Sequence, residues 1–276
     1  MFEKIESTFE RFDSFIDTRA LRSNLRTGVG ESLSRLAILT ARPNEDITGD
    51  FDRFYFHHVR KTAGTSISVA FFALSGSDPR KIERRLYRYA FTRTGGMRFV
   101  GPNARLIQGG RYFFAVSHFP SYVARPPTAG TFSFTVLRDP VQRVVSLYRY
   151  LRSVDSDDGF TFRAPPGEQS WAKGTLAEFL DQVPQAELLR QLYMFSPDGR
   201  ISETVDALGA LQLVMYTEDL KSGIDLLNQR TGLSLAVGRE RVSTASMAIP
   251  QKHLDRAREM LDPEYEMLRQ IKAKIL

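Results

Sequence analysis

The feature that most constrains this chain is a pair of strand-to-turn-to-helix crossings about eighty residues apart, FYFHHVRKTAGTS at residues 54–66 and TFSFTVLRDPVQRVVSLYRYL at residues 131–151. Residues 54–59 are apolar or aromatic with little alternation, the pattern of a strand covered on both faces, and residues 67–74 then read as a buried helix. Two such units predict an α/β chain, with helices packed on both faces of a mainly parallel sheet and two anion-binding turns on one sheet edge.

Between the first strand and its helix lie Arg60, Lys61, Thr62, Ala63, Gly64, Thr65 and Ser66. Small residues let backbone N–H groups come close to an anion. Thr65 or Ser66 can cap the helix, whose positive end favours negative charge, and Lys61 adds a mobile cation. The glycine and lysine spacing of a Walker A loop is missing, and alone the segment reads equally as an ordinary capped turn. In the second crossing Arg138 stands at the carboxyl end of the strand, Asp139 is a good N-cap and Pro140 suits the first helical position. Val141, Val144, Val145, Tyr148 and Leu151 follow at steps of three and four, with Ser146 beside that stripe. Taken alone, Arg138 could simply pair with Asp139, and Ser146 could bond back to a carbonyl one turn earlier.

Together, and in this order, the two segments resemble the PAPS-dependent carbohydrate sulfotransferases of the heparan-sulfate 2-O-sulfotransferase type. KTAGTS at 61–66 is similar to that family's 5′-phosphosulfate loop, and RDPVQRVVSLY at 138–148 to its 3′-phosphate motif. The resemblance implies a P-loop-like three-layer α/β/α fold. It also implies PAPS as co-substrate, bound by residues 60–66 with Arg138 and Ser146, and no metal. Eight residues span about 12 Å of helix, so the meeting of Arg138 and Ser146 on one phosphate comes from the resemblance alone. By the same resemblance His118, in the segment Ser117-His118-Phe119 near the end of a strand read over 111–119, matches the family's catalytic base, and Lys61 would stabilise the leaving group; taken alone, His118 reads as a partly buried histidine bonded to a backbone carbonyl. The chain departs from the family's Ile-Pro-Lys-Thr-Gly-Gly-Thr at two places. Arg60 replaces proline, and Ala63 replaces a glycine, a mild change unless that backbone needs a positive φ. Residues 241–246 weakly resemble a late segment that closes over the cofactor in relatives.

His57 and His58 fall inside the first strand, on opposite faces; either could line the cleft, but both read mainly as strand packing. His253, near the start of the last helix, reads as facing water. With four His, no Cys and no HExxH pattern, a metal site has little support.

Residues 51–125 carry 13 Lys and Arg against 3 Asp and Glu, while the whole chain has a net charge of +6. The basic charge therefore gathers around the expected cleft, with Arg80, Lys81, Arg84, Arg85 and Arg88 forming the solvated face of a helix. Such a field suits PAPS, an acidic glycan or nucleic acid, but no RNP, zinc-finger or helix-turn-helix pattern accompanies it. The alternatives to sulfuryl transfer are a P-loop-like nucleotide-dependent kinase and a non-enzymatic polyanion- or nucleic-acid-binding protein.

Strands are expected near 54–59, 112–118, 131–138 and 211–217, and a final helix from Gln251 divided at Asp262-Pro263. Residues 51–276 form the expected sulfotransferase domain, and residues 1–50 a helical appendage whose apolar stripe packs on the core or joins a homo-oligomer. Residues 152–175 read as a long polar loop, a substrate lid or plain disorder, in which Trp171 could stack on a sugar ring but reads rather as packed on the core. No apolar run reaches signal-peptide or membrane-spanning length, and the expected setting is cytoplasmic with neither membrane nor nucleic acid as partner. The expected partners are PAPS and a hydroxyl-bearing glycan acceptor.

Overall fold

Phe54, Tyr55 and Phe56 have no exposed surface, which places their strand, β1 (Arg53–His57), inside the sheet. The computed structural model describes residues 51–153, 166–238 and 248–275. From β1 the chain enters α1 (Gly64–Ala73) and α2 (Pro79–Tyr89), turns through the hairpin β2 (Phe91–Thr94) and β3 (Met97–Val100), and crosses α3 (Ala104–Gln108) to β4 (Phe114–Ser117). β5 (Thr131–Leu137) then leads into α4 (Pro140–Arg152). Five short helices follow: α5 (Pro166–Trp171), α6 (Leu176–Gln182), α7 (Gln185–Leu188), α8 (Arg190–Tyr193) and α9 (Ile201–Gly209). The last strand, β6 (Leu213–Tyr216), precedes α10 (Leu220–Thr231), α11 (Gln251–Met260) and α12 (Asp262–Ile275).

The six strands lie in the order β2-β3-β4-β1-β5-β6, parallel throughout except for the β2–β3 pair. Alternation across β1 sends Phe54 and Phe56 to one face and Tyr55 and His57 to the other. The first face packs on α1, α2 and α10 through an aromatic slab in which Phe71 stacks on Phe114 at 4.1 Å and Phe56 on Phe134 at 5.0 Å. The opposite face is covered by α3 at one end, and by α4, α6 to α9, α11 and α12 at the other. This is the three-layer α/β architecture, and each of the four expected strands is present in shortened form. The β2–β3 hairpin was not expected from the sequence. Its signal is Gly95-Gly96, both at positive φ, between strand-forming residues.

From β1 the chain moves to β4 on one side, then returns to β5 on the other. Connections that diverge in this way leave a crevice at the carboxyl ends of the strands. The C-terminal helix divides at Asp262 as expected. The stretch read as one loop is partly helical, since α4 runs to Arg152 and α5 begins at Pro166. Trp171 packs on the core formed with α4. Residues 1–50, 154–165 and 239–247, with their expected appendage, the middle of the expected loop and the late segment, lie outside the described residues. No helix among the described residues is long and apolar enough to cross a membrane.

Candidate active site

The turn after β1 is built from backbone in unusual conformations. Lys61 and Ala63 both adopt left-handed φ, of 68° and 61°. For residues with a Cβ this costs on the order of 1–2 kcal/mol each, and such strain gathers at functional sites. The condition under which Ala63 is not a mild replacement for glycine is therefore met. Ala63 also takes the N-cap position of α1, and no side chain caps that helix. The expectation that Thr65 or Ser66 caps it fails because both lie within the first turn, leaving the positive helix end to backbone N–H groups alone. Thr62 is fully buried, and its hydroxyl donates to the Val59 carbonyl at 2.8 Å, closing the turn.

Gly64 is required by close approach. A Cβ there would fall 1.6 Å from Nε2 of His58. His58 lies just beyond β1, not inside it, with its ring stacked on Phe56 at 5.1 Å and 4.2 Å from the ring of His118. His57, the last residue of β1, packs against Tyr55 and Phe195 on the other face. Sequence reasoning favoured strand packing for both; His57 keeps that role, and His58, past the end of the strand, takes the other reading beside His118.

Arg60 was expected at the ligand. Its guanidinium instead bonds Glu168 of α5 at 2.8 Å and lies 3.4 Å from Glu187 of α7, both carboxylates being buried. Burial opposes its charge, but the two acids more than offset that and raise its pKa. A residue with no proline constraint can make this turn, and the two acids that receive it lie more than a hundred positions away. The Lys61 ammonium lies 4.3 Å from the centre of the Tyr150 ring on α4, a cation–π contact.

The second crossing forms as the sequence predicts. Asp139 caps α4 by accepting from the Gln142 N–H at 2.8 Å, with Pro140 in the first position. Its other oxygen accepts from the Tyr265 hydroxyl at 2.9 Å. Asp139 is thus used by the helix start and by α12, and the guanidinium of Arg138 turns elsewhere. Arg138 Nη1 donates to the Lys61 carbonyl at 3.2 Å, which joins the two crossings. Ser146 is half-buried on α4.

His118 follows β4. Its Nδ1 lies 2.8 Å from the His58 carbonyl, and because a carbonyl only accepts, Nδ1 carries the hydrogen and Nε2 the lone pair. Burial, then the nearby Arg60 and Arg190, push the His118 pKa down to about 3, against the opposing effect of the His58 carbonyl. His58 is lowered by burial, His118, Lys61 and Arg60. Both imidazoles are neutral near pH 7. Arg190 of α8 donates to the His118 carbonyl at 2.7 Å and fixes the turn that carries it. His253 is half-buried, and its Nδ1 lacks a partner, so it does not simply face water.

The structure thus gathers Lys61, the open start of α1, Arg138 and His118 around the carboxyl ends of β1, β4 and β5. His58, which sequence reasoning allowed at the cleft as the lesser reading, belongs to the same place, as do Gln191 and Arg190, which were missed from sequence because nothing local marks them. An uncapped helix start, two cations and a fixed neutral imidazole thus meet at one place. The chain belongs to the sulfotransferase family, whose model matches residues 46–271. It is a sulfotransferase. Eight solved chains match, among them the crystal structure of a sulfotransferase from Alicyclobacillus acidocaldarius, at 16% identity over 86% of this chain and 96% of that one, with a TM-score of 0.39. No curated protein matches the chain.

Proposed function

We propose that this enzyme transfers the sulfuryl group of PAPS to a hydroxyl of a carbohydrate acceptor. The observation that carries the reading is the Arg138 guanidinium on the Lys61 carbonyl, which brings the two anion-binding crossings to one point. The residues present fit the donor. The uncapped start of α1, with Lys61, Gly64, Thr65 and Ser66, suits the 5′-phosphosulfate, and Arg138 with the Ser146 hydroxyl suits the 3′-phosphate. When bound, PAPS supplies the sulfuryl group and departs as 3′,5′-ADP.

The chain's own residues then have distinct tasks. His118 takes the acceptor proton at Nε2, the nitrogen left unprotonated by the bond from Nδ1 to His58. Its low pKa keeps it in the base form, and an anion beside Arg60 and Arg190 weakens their opposition to its protonation. Lys61, on a flexible stem, exchanges the Tyr150 face for the negative charge that develops on the leaving oxygen. Arg60, held by Glu168 and Glu187, anchors the turn from behind.

Calorimetric titration with 3′,5′-ADP, 5′-AMP and ATP, without added metal, tests the donor. Preferential binding of 3′,5′-ADP, lost in Arg138→Ala, is expected; equal binding of all three would overturn the reading. With PAPS and a panel of glycans, His118→Ala and Lys61→Ala should each abolish turnover with an unchanged circular dichroism spectrum. Wild-type turnover in His118→Ala would remove it as the base.

A further inference from the structure

Arg138 is the first residue beyond β5, and the sheet has ended on both sides of it. The pairing with β1 stops at Thr135 and that with β6 at Leu137. Its backbone N–H and C=O would therefore be left without ladder partners in a half-buried place. The side-chain amide of Gln191, on the four-residue α8, supplies both. Arg138 N–H donates to Oε1 at 2.8 Å, and Nε2 donates to the Arg138 carbonyl at 3.0 Å.

Gln191 is itself fixed from behind. Its backbone N–H donates to one oxygen of Glu264 at 2.7 Å, and the second hydrogen of Nε2 goes to the other at 2.8 Å. Gln191 and Glu264 are both 0% exposed. Arg143 of α4, equally buried, places its Nε 3.9 Å from Glu264 and bonds the carbonyls of Glu187 and Leu188. Both hydrogens of the amide and its oxygen have partners, so its orientation has no alternative. Beside it, Tyr265 and Glu218 hold Asp139, through its carboxylate and its N–H.

We infer that Gln191, backed by Glu264 and Arg143, is a positioning residue that fixes the backbone of Arg138 and so aims its guanidinium into the donor site. The inference rests on the proposed use of Arg138 for the 3′-phosphate. An ordinary packing residue would affect every ligand alike. A residue acting through Arg138 affects only ligands that Arg138 reads.

The test uses the full chain with Gln191→Met, which keeps volume and removes the amide, and Glu264→Gln, which places an N–H₂ group against the Gln191 donors. Each is titrated with 3′,5′-ADP and 5′-AMP, alone and combined with Arg138→Ala, after thermal melting has shown a cooperative fold. The expected result is a loss on the order of tenfold in 3′,5′-ADP affinity with 5′-AMP unchanged, a raised KM for PAPS at unchanged kcat, and no further loss when Arg138→Ala is already present. Equal losses for both nucleotides, or losses that add to that of Arg138→Ala, would overturn the inference. So would wild-type affinity in both variants. Failure of the wild-type chain to prefer 3′,5′-ADP over 5′-AMP would instead overturn the donor assignment, and the inference with it.

Discussion

At the scale of single residues the site is set by burial acting on imidazoles. His57 is pushed down to about 3 by burial alone, His118 to about 3 by burial and then neighbouring arginines, and His58 well below its ordinary value. The unfolded chain binds protons on these groups below about pH 6.5, where the folded chain does not, so stability falls as pH drops from there toward 3. Each withheld proton costs up to about 1.4 kcal/mol per pH unit. Glu168 and Glu264, raised by burial, act in the opposite sense, but two carboxyls are outnumbered by three imidazoles. The melting temperature should therefore fall between pH 7 and pH 5, and His57→Phe, which suits the aromatic surroundings of Tyr55 and Phe195, should make that decline shallower. A melting temperature that is flat or rises on acidification would contradict this. The placement of Lys61 and Arg138 was legible because each follows a readable strand. His118 was legible only through resemblance, and Gln191, 53 positions from Arg138 in sequence, not at all.

At the scale of elements the decisive one is the start of α1. Its N-terminus is open because Ala63 occupies the cap position in a left-handed conformation. Glycine meets that backbone without steric cost. Ala63→Gly should therefore stabilise the protein by roughly 1 kcal/mol, a rise of about 2–4 °C in melting temperature read by calorimetry, with donor affinity kept or improved. A fall in melting temperature would show that the Ala63 methyl makes packing contacts worth more than the strain. The same element explains Gly64, whose Cα faces the ring of His58 with no room for a side chain. Strands and both crossing helices were readable from their apolar patterns, and α4 from its cap as well. The β2–β3 hairpin was overlooked although Gly95-Gly96 marks it, because its four-residue strands are too short to show a period.

For the whole molecule, the charge distribution matters more than any pair. The exposed face of α2 carries Arg80, Lys81, Arg84, Arg85 and Arg88, on a segment of 13 basic and 3 acidic residues that also builds the first crossing. A field of one sign steers anions and fades as salt shortens its range. The association rate of 3′,5′-ADP, followed by stopped flow, should drop about tenfold between 50 and 500 mM salt while dissociation changes little. The combined change Arg84→Glu and Arg85→Glu, remote from the donor turn in sequence and exposed on α2, should lower the association rate at low salt alone. A rate indifferent to salt would show that the site binds its anion through local contacts only.

The sequence by itself determined the parallel α/β architecture, the two strand-turn-helix crossings, the cap at Asp139 and the division of the last helix, because each is written in residues within a turn or a strand of one another. Tertiary structure alone decided that Arg138 reaches Lys61, that Arg60 goes to Glu168 and Glu187, that His58 fixes the tautomer of His118, and that Gln191 and Glu264 stand behind Arg138. Those contacts join positions 53 to 127 residues apart, and no local pattern carries information about a partner that the folded sheet brings near.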